Sequence, residues 1–512
     1  MYLPLLTLQN MIKIKNLQQK LALSGLLLFS VFPYSSAFAD GLFSAKDNTI
    51  FAPFLNYQGQ NYSAEFSLIS PSQLQLKYAV PRGDSPAYGI STIVDNGLNF
   101  TLQRINYNGQ LYTAEVHYQQ GDIFSINDIS IVDESISGRG DIIESNLLSE
   151  ISQAKFNLLL SFVNLQAGTN IELSAKNDIQ VYTVNHQTID PAGELTLASA
   201  LVAFPADTEH SYPLIAYQHG SETLRPEVPS QDSLDLPTLA LAASGYMVVS
   251  ADYLGLGESE TLHPYVHGHT LATTIIDALR SARHLAAEQD IQLNKQLFLA
   301  GYSEGGYATM AAHREIQAHY SDEFTVTASA PIAGPYDLSG TMRQRLLDEA
   351  PLPSPFYFPY TVLAYNQVYG LSDQLSDFFQ SPYDQTVSTL YDGNHSGSEI
   401  NSALPDKQQL YTAALYDLLA DGQSSWLQLA LAENDSYRWI PEAPMYLFHC
   451  INDNNVPFEN TQIAYDYFQS VGADQVQLFA NDDALLNQGD VHTNCAIPLL
   501  LQGKAIFDKL VE

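Results

Sequence analysis

Downstream of about residue 175 the chain alternates short, dense apolar runs with longer stretches in which apolar residues recur every three or four positions. The runs predict strands at Ile179–Val184, Leu195–Phe204, Leu214–Gln218, Tyr246–Ala251, Gln296–Ala300, Thr325–Pro331 and Met445–His449. Runs of this length, bounded by Gly, Pro and Asp, are what strands covered on both faces look like. Helical spacing fits Ala272–Glu288 and Gly306–His319. Strands alternating with helices imply an α/β architecture, a mostly parallel sheet with helices on both faces.

Upstream the rhythm differs. Gln110–Tyr118 alternates apolar and polar residues as a half-buried strand does, and Asn108-Gly109 before it is a turn signal. The region from 40 to 174 therefore reads as partly β-rich, with the spacing of Ile, Leu and Phe over Ile142–Leu165 suiting one or two helices. No repeat at a fixed period is obvious. Between Pro331 and Met445 lie over a hundred residues, far more than a crossover needs, so an insertion is implied. It contains Pro351-Leu352-Pro353-Ser354-Pro355-Phe356-Tyr357-Phe358-Pro359-Tyr360, fit to line an apolar binding surface or simply to pack, and a helix-like stretch at Gln409–Leu419.

A chain of 512 residues exceeds what one hydrophobic core supports. Its start reads as an export signal: Lys13, Lys15 and Lys20, the apolar stretch Leu21–Phe32, then Ala37-Phe38-Ala39 before Asp40, with Met11 a candidate start. Cleavage after Ala39 implies a secreted or periplasmic protein. The apolar stretch falls short of the roughly 20 residues of a membrane span, and nothing after residue 40 is long and apolar enough to insert stably. With 21 Lys+Arg against 56 Asp+Glu the net charge is -35, or -35 - 3 = -38 without the leader lysines. Nucleic acid is excluded as a partner and anionic lipid is repelled; the scattered acids read as a solubilising surface.

Gly301-Tyr302-Ser303-Glu304-Gly305 follows the apolar run Leu297–Ala300 and precedes a helical stretch. A serine on a sharp strand-to-helix turn needs small neighbours, and the turn lifts its hydroxyl clear of the sheet as a nucleophile. Such a serine requires a base, and the base a carboxylate to orient it. In α/β enzymes built on this turn the acid and then the histidine follow the serine in chain order. Asp453 follows the Met445–His449 strand, and His492 is the one histidine after it. Asp337, after Pro331, is a rival acid. Backbone N–H donors for an oxyanion are expected from Glu304 and from Ser221, in the loop after Leu214–Gln218, with His219 ordering that loop. Asp252-Tyr253-Leu254-Gly255-Leu256-Gly257 reads as a structural turn, since a lone G-x-G is weak evidence for nucleotide. His263, His267 and His269 lack the spacing and carboxylates of a metal site, so neither metal nor cofactor is implied. Cys450 and Cys495 lie three residues before Asp453 and three after His492, so if acid and base touch, an exported chain would form a disulfide there.

Tyr217-Gln218-His219-Gly220, Ala251–Gly257, His263-Pro264-Tyr265 with Ile275-Ile276-Asp277-Ala278-Leu279-Arg280, and Gly301–Gly306 make residues 175–512 resemble the secretory lipase branch of the α/β-hydrolase superfamily. The resemblance implies an α/β-hydrolase fold, carboxylic-ester hydrolysis as an esterase or lipase, and a cap inserted before the acid strand. The expected division is a signal at 1–39, an N-terminal region at 40–174, a core at 175–334 and 441–512, and a cap or lid at 335–440. A prolyl-type serine peptidase is the alternative; Ser221-Glu222 after His219-Gly220, where that group has Gly-Pro, speaks against it. A binding protein on a hydrolase scaffold is a third reading, and should have lost a member of the triad.

Overall fold

The computed structural model describes residues 37–40, 42–44, 48–57, 60–81, 99–107, 110–132, 134, 136–167, 171, 173–420 and 425–512. The leader up to residue 36 and the Asn108-Gly109 turn lie outside the described residues. The chain divides into two compact units, one of Ser135–Val368, Gln380–Tyr411 and Asn434–Glu512, the other of the chain up to Glu134 with Tyr369–Phe379 and Thr412–Glu433.

The larger unit holds a nine-stranded sheet built from β9 (Ile142–Ile151), β10 (Ile179–Ile189), β11 (Leu195–Pro205), β12 (Ser211–Gln218), β13 (Met247–Ala251), β14 (Gln292–Tyr302), β15 (Val326–Ile332), β16 (Met445–Cys450) and β17 (Val476–Asn481), in the order β17-β16-β15-β14-β12-β13-β11-β10-β9. Five neighbouring pairs are parallel and the three at the β9 end antiparallel, so the sheet is mixed, its parallel part running from β17 to β13. The main helices are α1 (Gln153–Ala167), α2 (Leu236–Ala243), α3 (Gly268–Glu288), α4 (Glu304–His319), α5 (Tyr357–Tyr369), α6 (Glu459–Ser470) and α7 (Val491–Phe507). Val181, Leu201, Ile215, Val248, Phe298, Ala330 and Phe448 of the strands pack with Phe156, Leu239 and Leu499 of α1, α2 and α7 into one core.

All seven strands expected from the apolar runs form, and β9 and β17 are additions. Residues 142–151 are a strand, not the expected helix. Ile143, Leu147 and Leu148 are exposed, so their spacing marks no buried helical face, and pairing with β10 from Ile179↔Ile151 to His186↔Ile142 decides the conformation. The helix starts beyond Ser152, whose Oγ accepts from the Lys155 N–H at 3.2 Å. The α/β unit consequently begins near Ser135 rather than at 175. The turn before β9 is anchored by Arg139, whose buried guanidinium lies 3.0 Å from Asp277 of α3; Asp277 also accepts from Thr188 and Arg280.

The smaller unit contains β1 (Ala37–Asp40), β2 (Leu42–Ser44), β3 (Thr49–Tyr57), β4 (Gln60–Ser70), β5 (Gln73–Pro81), β6 (Asn99–Tyr107), β7 (Gln110–Gln120) and β8 (Ile123–Ile131) in the order β1-β6-β7-β8-β5-β4-β3-β2. The expected cleavage point after Ala39 falls inside β1, which pairs parallel with β6 and also lies beside β3, bringing the two ends of the sheet together.

Although no repeat is obvious along the sequence, this unit is a tandem repeat. Asn56-Tyr57, Gly59-Gln60, Tyr62 and Ala64-Glu65 recur fifty residues later as Asn106-Tyr107, Gly109-Gln110, Tyr112 and Ala114-Glu115. The meanders β3-β4-β5 and β6-β7-β8 match in strand length and carry irregularities at equivalent points, between Ala52 and Leu55 and between Leu102 and Ile105. They meet antiparallel through β5 and β8, where Leu74 pairs with its own equivalent, Phe124, so a local two-fold relates the copies. Phe66, Phe100 and Phe124 sit 5.4 to 5.8 Å apart in the shared core. Residues 369–379 and 412–433 also belong to this unit, with Phe378 packed edge-on against Trp426 at 5.7 Å, so the 335–440 insertion is shared between the units and is not one block.

Phe124 is 1% exposed and Ile69, on β4, 47%. Phe124→Ala is expected to cost about 3–5 kcal/mol and Ile69→Ala about 0.5 kcal/mol or less. Urea denaturation followed by circular dichroism measures both, and equal costs would contradict a core shared by the two copies.

Candidate active site

Strand β14 ends at Tyr302 and helix α4 starts at Glu304, leaving Ser303 as the single residue of the turn with φ 60° and ψ -122°. A side chain is rarely held with positive φ, and the surroundings enforce it here. The Ser303 N–H is committed to the Ile332 carbonyl at 2.9 Å. A Cβ on Gly305 would come within 2.0 Å of the Gln218 carbonyl oxygen, and one on Gly306 within 2.2 Å of that of Ile332. These glycines let the first turn of α4 sit directly on the ends of β12 and β15. The N–H groups of residues 304–306 head the helix without intrahelical partners, so they and the positive dipole end face the serine.

The structure brings Ser303, His492 and Asp453 together. His492, in the first turn of α7, places Nε2 2.8 Å from Ser303 Oγ and Nδ1 2.6 Å from Asp453 Oδ2. Asp453 Oδ1 accepts from the N–H groups of Asn455 and Val456 at 3.0 and 2.9 Å, so the loop after β16 fixes the carboxylate. Burial alone would raise the Asp453 pKa, but hydrogen bonds from His449 and His492 outweigh it and hold the carboxyl well below its usual range. The group is therefore an anion at neutral pH, able to hold the imidazole in one tautomer. The rival Asp337 lies elsewhere in its contacts: it accepts from Thr341 N–H and hydroxyl at 2.7 and 2.8 Å and from Tyr437 Oη at 3.2 Å.

Gly220 lies against the nucleophile, a Cβ there falling 3.7 Å from Ser303 Cβ, which puts the loop carrying Ser221 beside the serine. Ser221 Oγ is 2.8 Å from Tyr265 Oη. His219 contacts the carbonyls of Gly220 and Asp252 and stacks on Tyr253 at 4.3 Å, while Tyr253 Oη donates to the His219 carbonyl at 3.0 Å. The glycine-rich turn is structural: Asp252 accepts from Ser199 Oγ at 2.5 Å and from the Ser230 N–H at 3.0 Å. The three neighbouring histidines part company, His263 to Glu304, His267 to Thr270 and His269 toward Glu315. Among the described residues no group of three His, Cys, Asp or Glu side chains comes together as a metal-binding set. Cys450 and Cys495 form a disulfide, with Cα atoms 6.5 Å apart, tying the end of β16 to α7.

Three features were not anticipated. His449, fully buried on β16, puts Nε2 2.9 Å from the Val456 carbonyl and 3.3 Å from Asp453 Oδ2, with Nδ1 2.5 Å from Thr461 Oγ1 of α6. Because a carbonyl only accepts, Nε2 carries hydrogen and faces the carboxylate. His263 Nε2 lies 2.8 Å from the Glu304 carboxylate, both side chains nearly inaccessible. Tyr265 stacks on Tyr360 of α5 at 4.6 Å and 3°, with Tyr357 6.3 Å away, and Glu222 beside Ser221 is pushed up to about 8 by burial, with the Glu227 and Glu304 charges adding to the shift. His449 stands four residues before Asp453 and Glu304 next to Ser303, but nothing in one sequence tells such groups from ordinary polar residues.

Residues 231–365 match the secretory lipase family. No curated protein matches the chain by sequence. Among solved structures, the rice cell wall degrading esterase LipA from Xanthomonas oryzae is 29% identical with a TM-score of 0.67, the match covering 73% of this chain and 100% of that one. A protein from Legionella pneumophila is 29% identical with a TM-score of 0.65, the match covering 72% of this chain and 98% of the other. The resemblance to the lipases and esterases of the α/β-hydrolase superfamily therefore holds, and it supports an ester-hydrolysing enzyme.

The disulfide spans a sequence separation of 45 and clamps the segments that carry Asp453 and His492. Cys450→Ser with Cys495→Ser is expected to remove about 2–4 kcal/mol of stability, chiefly because the cross-link restricts the unfolded chain. Denaturant titration measures the loss; a double variant as stable as the parent would show that the clamp contributes nothing.

Proposed function

We propose that the chain is an exported serine hydrolase that cleaves carboxylic ester bonds through an acyl-enzyme on Ser303. The observation that carries this reading is the hydrogen-bonded line from Ser303 Oγ through His492 to Asp453, at 2.8 and 2.6 Å. His492 Nε2 takes the hydroxyl proton as Oγ adds to the ester carbonyl carbon. Nδ1–H donates to Asp453, which balances the imidazolium. The oxygen that gains charge is met by the N–H groups of Glu304 and Ser221. On collapse the carbon–oxygen bond to the alcohol breaks, and the alcohol leaves with the proton from His492. Water then repeats the sequence, releasing the acid and restoring the serine.

Within the larger unit, the part of the 335–440 insertion that forms α5 supplies the cap in this reading: its Tyr360 packs on Tyr265 beside Ser221. Export rests on the basic and apolar leader, the disulfide and the secretory character of the matched family. Among the described residues no helix is long and apolar enough to cross a membrane.

A panel of p-nitrophenyl esters of increasing acyl length, alongside a prolyl-peptide substrate, tests the reaction. The native protein should turn over esters, Ser303→Ala should lose about 10⁴-fold or more in kcat, and Asp453→Asn about 10²- to 10⁴-fold. Ester turnover that survives Ser303→Ala sinks the mechanism, and turnover of the prolyl peptide alone would move the enzyme to the peptidase class.

A further inference from the structure

The buried pair of His263 and Glu304 adjoins the nucleophile, and the mechanism above leaves its side chains unused. His263 Nδ1 lies 2.7 Å from the Leu254 carbonyl, an acceptor only, so that nitrogen carries a hydrogen. Nε2 lies 2.8 Å from Glu304 Oε1. One proton must occupy that contact, on nitrogen as an imidazolium facing a carboxylate or on oxygen as a carboxylic acid facing a neutral ring. Either way the pair carries no net charge. The other carboxyl oxygen, Oε2, is buried without a hydrogen-bond partner among the described residues, and the Val266 N–H reaches Oε1 only at 3.5 Å. His263 is therefore the one described group that can cancel a charge on Glu304 by direct hydrogen bonding.

The position of that charge matters because the Glu304 N–H is one of the two donors assigned to the oxyanion. We propose that His263 is a positioning residue that neutralises Glu304, so that the oxyanion develops beside a net-neutral pair instead of an uncompensated carboxylate. The inference rests on the reading of Ser303 given above. Its energetic logic is like-charge repulsion: a carboxylate on the residue that donates to the oxyanion opposes the transition state more than the uncharged ground state. The same contact holds the 254–266 loop to the head of α4, since His263 bridges the Leu254 carbonyl and Glu304. A purely structural role is thus the competing explanation.

The two are separated by a double-mutant cycle on the full-length protein, with kcat and KM for a p-nitrophenyl ester referred to sites titrated by a fluorophosphonate. His263→Gln removes the ring that shares the proton and is expected to lower kcat at least about tenfold with KM changed little. Glu304→Gln in the same chain removes the carboxylate, and the double variant should regain at least about tenfold over His263→Gln. Should His263→Gln fail to fold, Glu304→Asp and Glu304→Ala serve: aspartate keeps a carboxylate that falls short of Nε2, so it should be slower than the alanine variant. A structural role gives the reverse ranking, because aspartate preserves more packing. Native turnover abolished by Ser303→Ala, with no recovery in the double variant or with aspartate faster than alanine, overturns the inference alone. Native turnover that does not depend on Ser303 overturns the reading beneath it and the inference together.

Discussion

The backbone at Ser303 is the constraint on which the rest of the site depends. A residue with a side chain held at φ 60° between a strand and a helix persists only if neighbouring backbone leaves no alternative. Here the ends of β12 and β15 press against the first turn of α4 so closely that Gly305 and Gly306 admit no Cβ. The cost of the turn is local, and the sheet supplies the rigidity that offsets it. Three consequences follow from one contact: the hydroxyl is lifted off the sheet, the N–H groups of the helix start are left open beside it, and the loop after β12 is brought against it at Gly220.

Much of this was legible in the sequence because it is encoded locally. Dense apolar runs mark strands that are buried on both faces, and all seven such runs of the α/β unit are strands. The two that escaped are edge strands. Val476-Gln477-Leu478-Phe479-Ala480-Asn481 is only partly buried, and β9 exposes three large apolar side chains, so neither carries the pattern of a covered strand. Their conformation is set by pairing with a neighbour distant in sequence. The tandem repeat was legible in principle, since the two copies share an Asn-Tyr-x-Gly-Gln-x-Tyr-x-Ala-Glu frame, but two copies with otherwise exchanged apolar residues give no periodic signal.

The site shows the same division. Ser303 announces itself through its glycines, and chain order leads from it to Asp453 and His492, which the structure places in hydrogen-bonding line. His449 could not be found that way. Its place depends on β16 and α6 coming together so that Thr461 and the Val456 carbonyl orient the ring toward Asp453. The carboxylate is consequently held in place by two backbone N–H groups and by two histidines, whose hydrogen bonds make it more acidic despite burial.

Two histidine–carboxylate contacts thus flank the serine at nearly equal distances, 2.6 Å for His492 with Asp453 and 2.8 Å for His263 with Glu304. What distinguishes them is the second nitrogen. In His492 the carboxylate takes Nδ1 and leaves Nε2 facing a hydroxyl, a group that can give up a proton and take one back. In His263 a backbone carbonyl takes Nδ1 and the carboxylate takes Nε2, so both nitrogens are engaged by groups of the protein itself. The first ring is arranged to move a proton to and from a reacting atom. The second can only share one with its partner. Identical functional groups at similar separations therefore divide into a proton carrier and a fixed electrostatic element, and the division is made by one backbone carbonyl, that of Leu254.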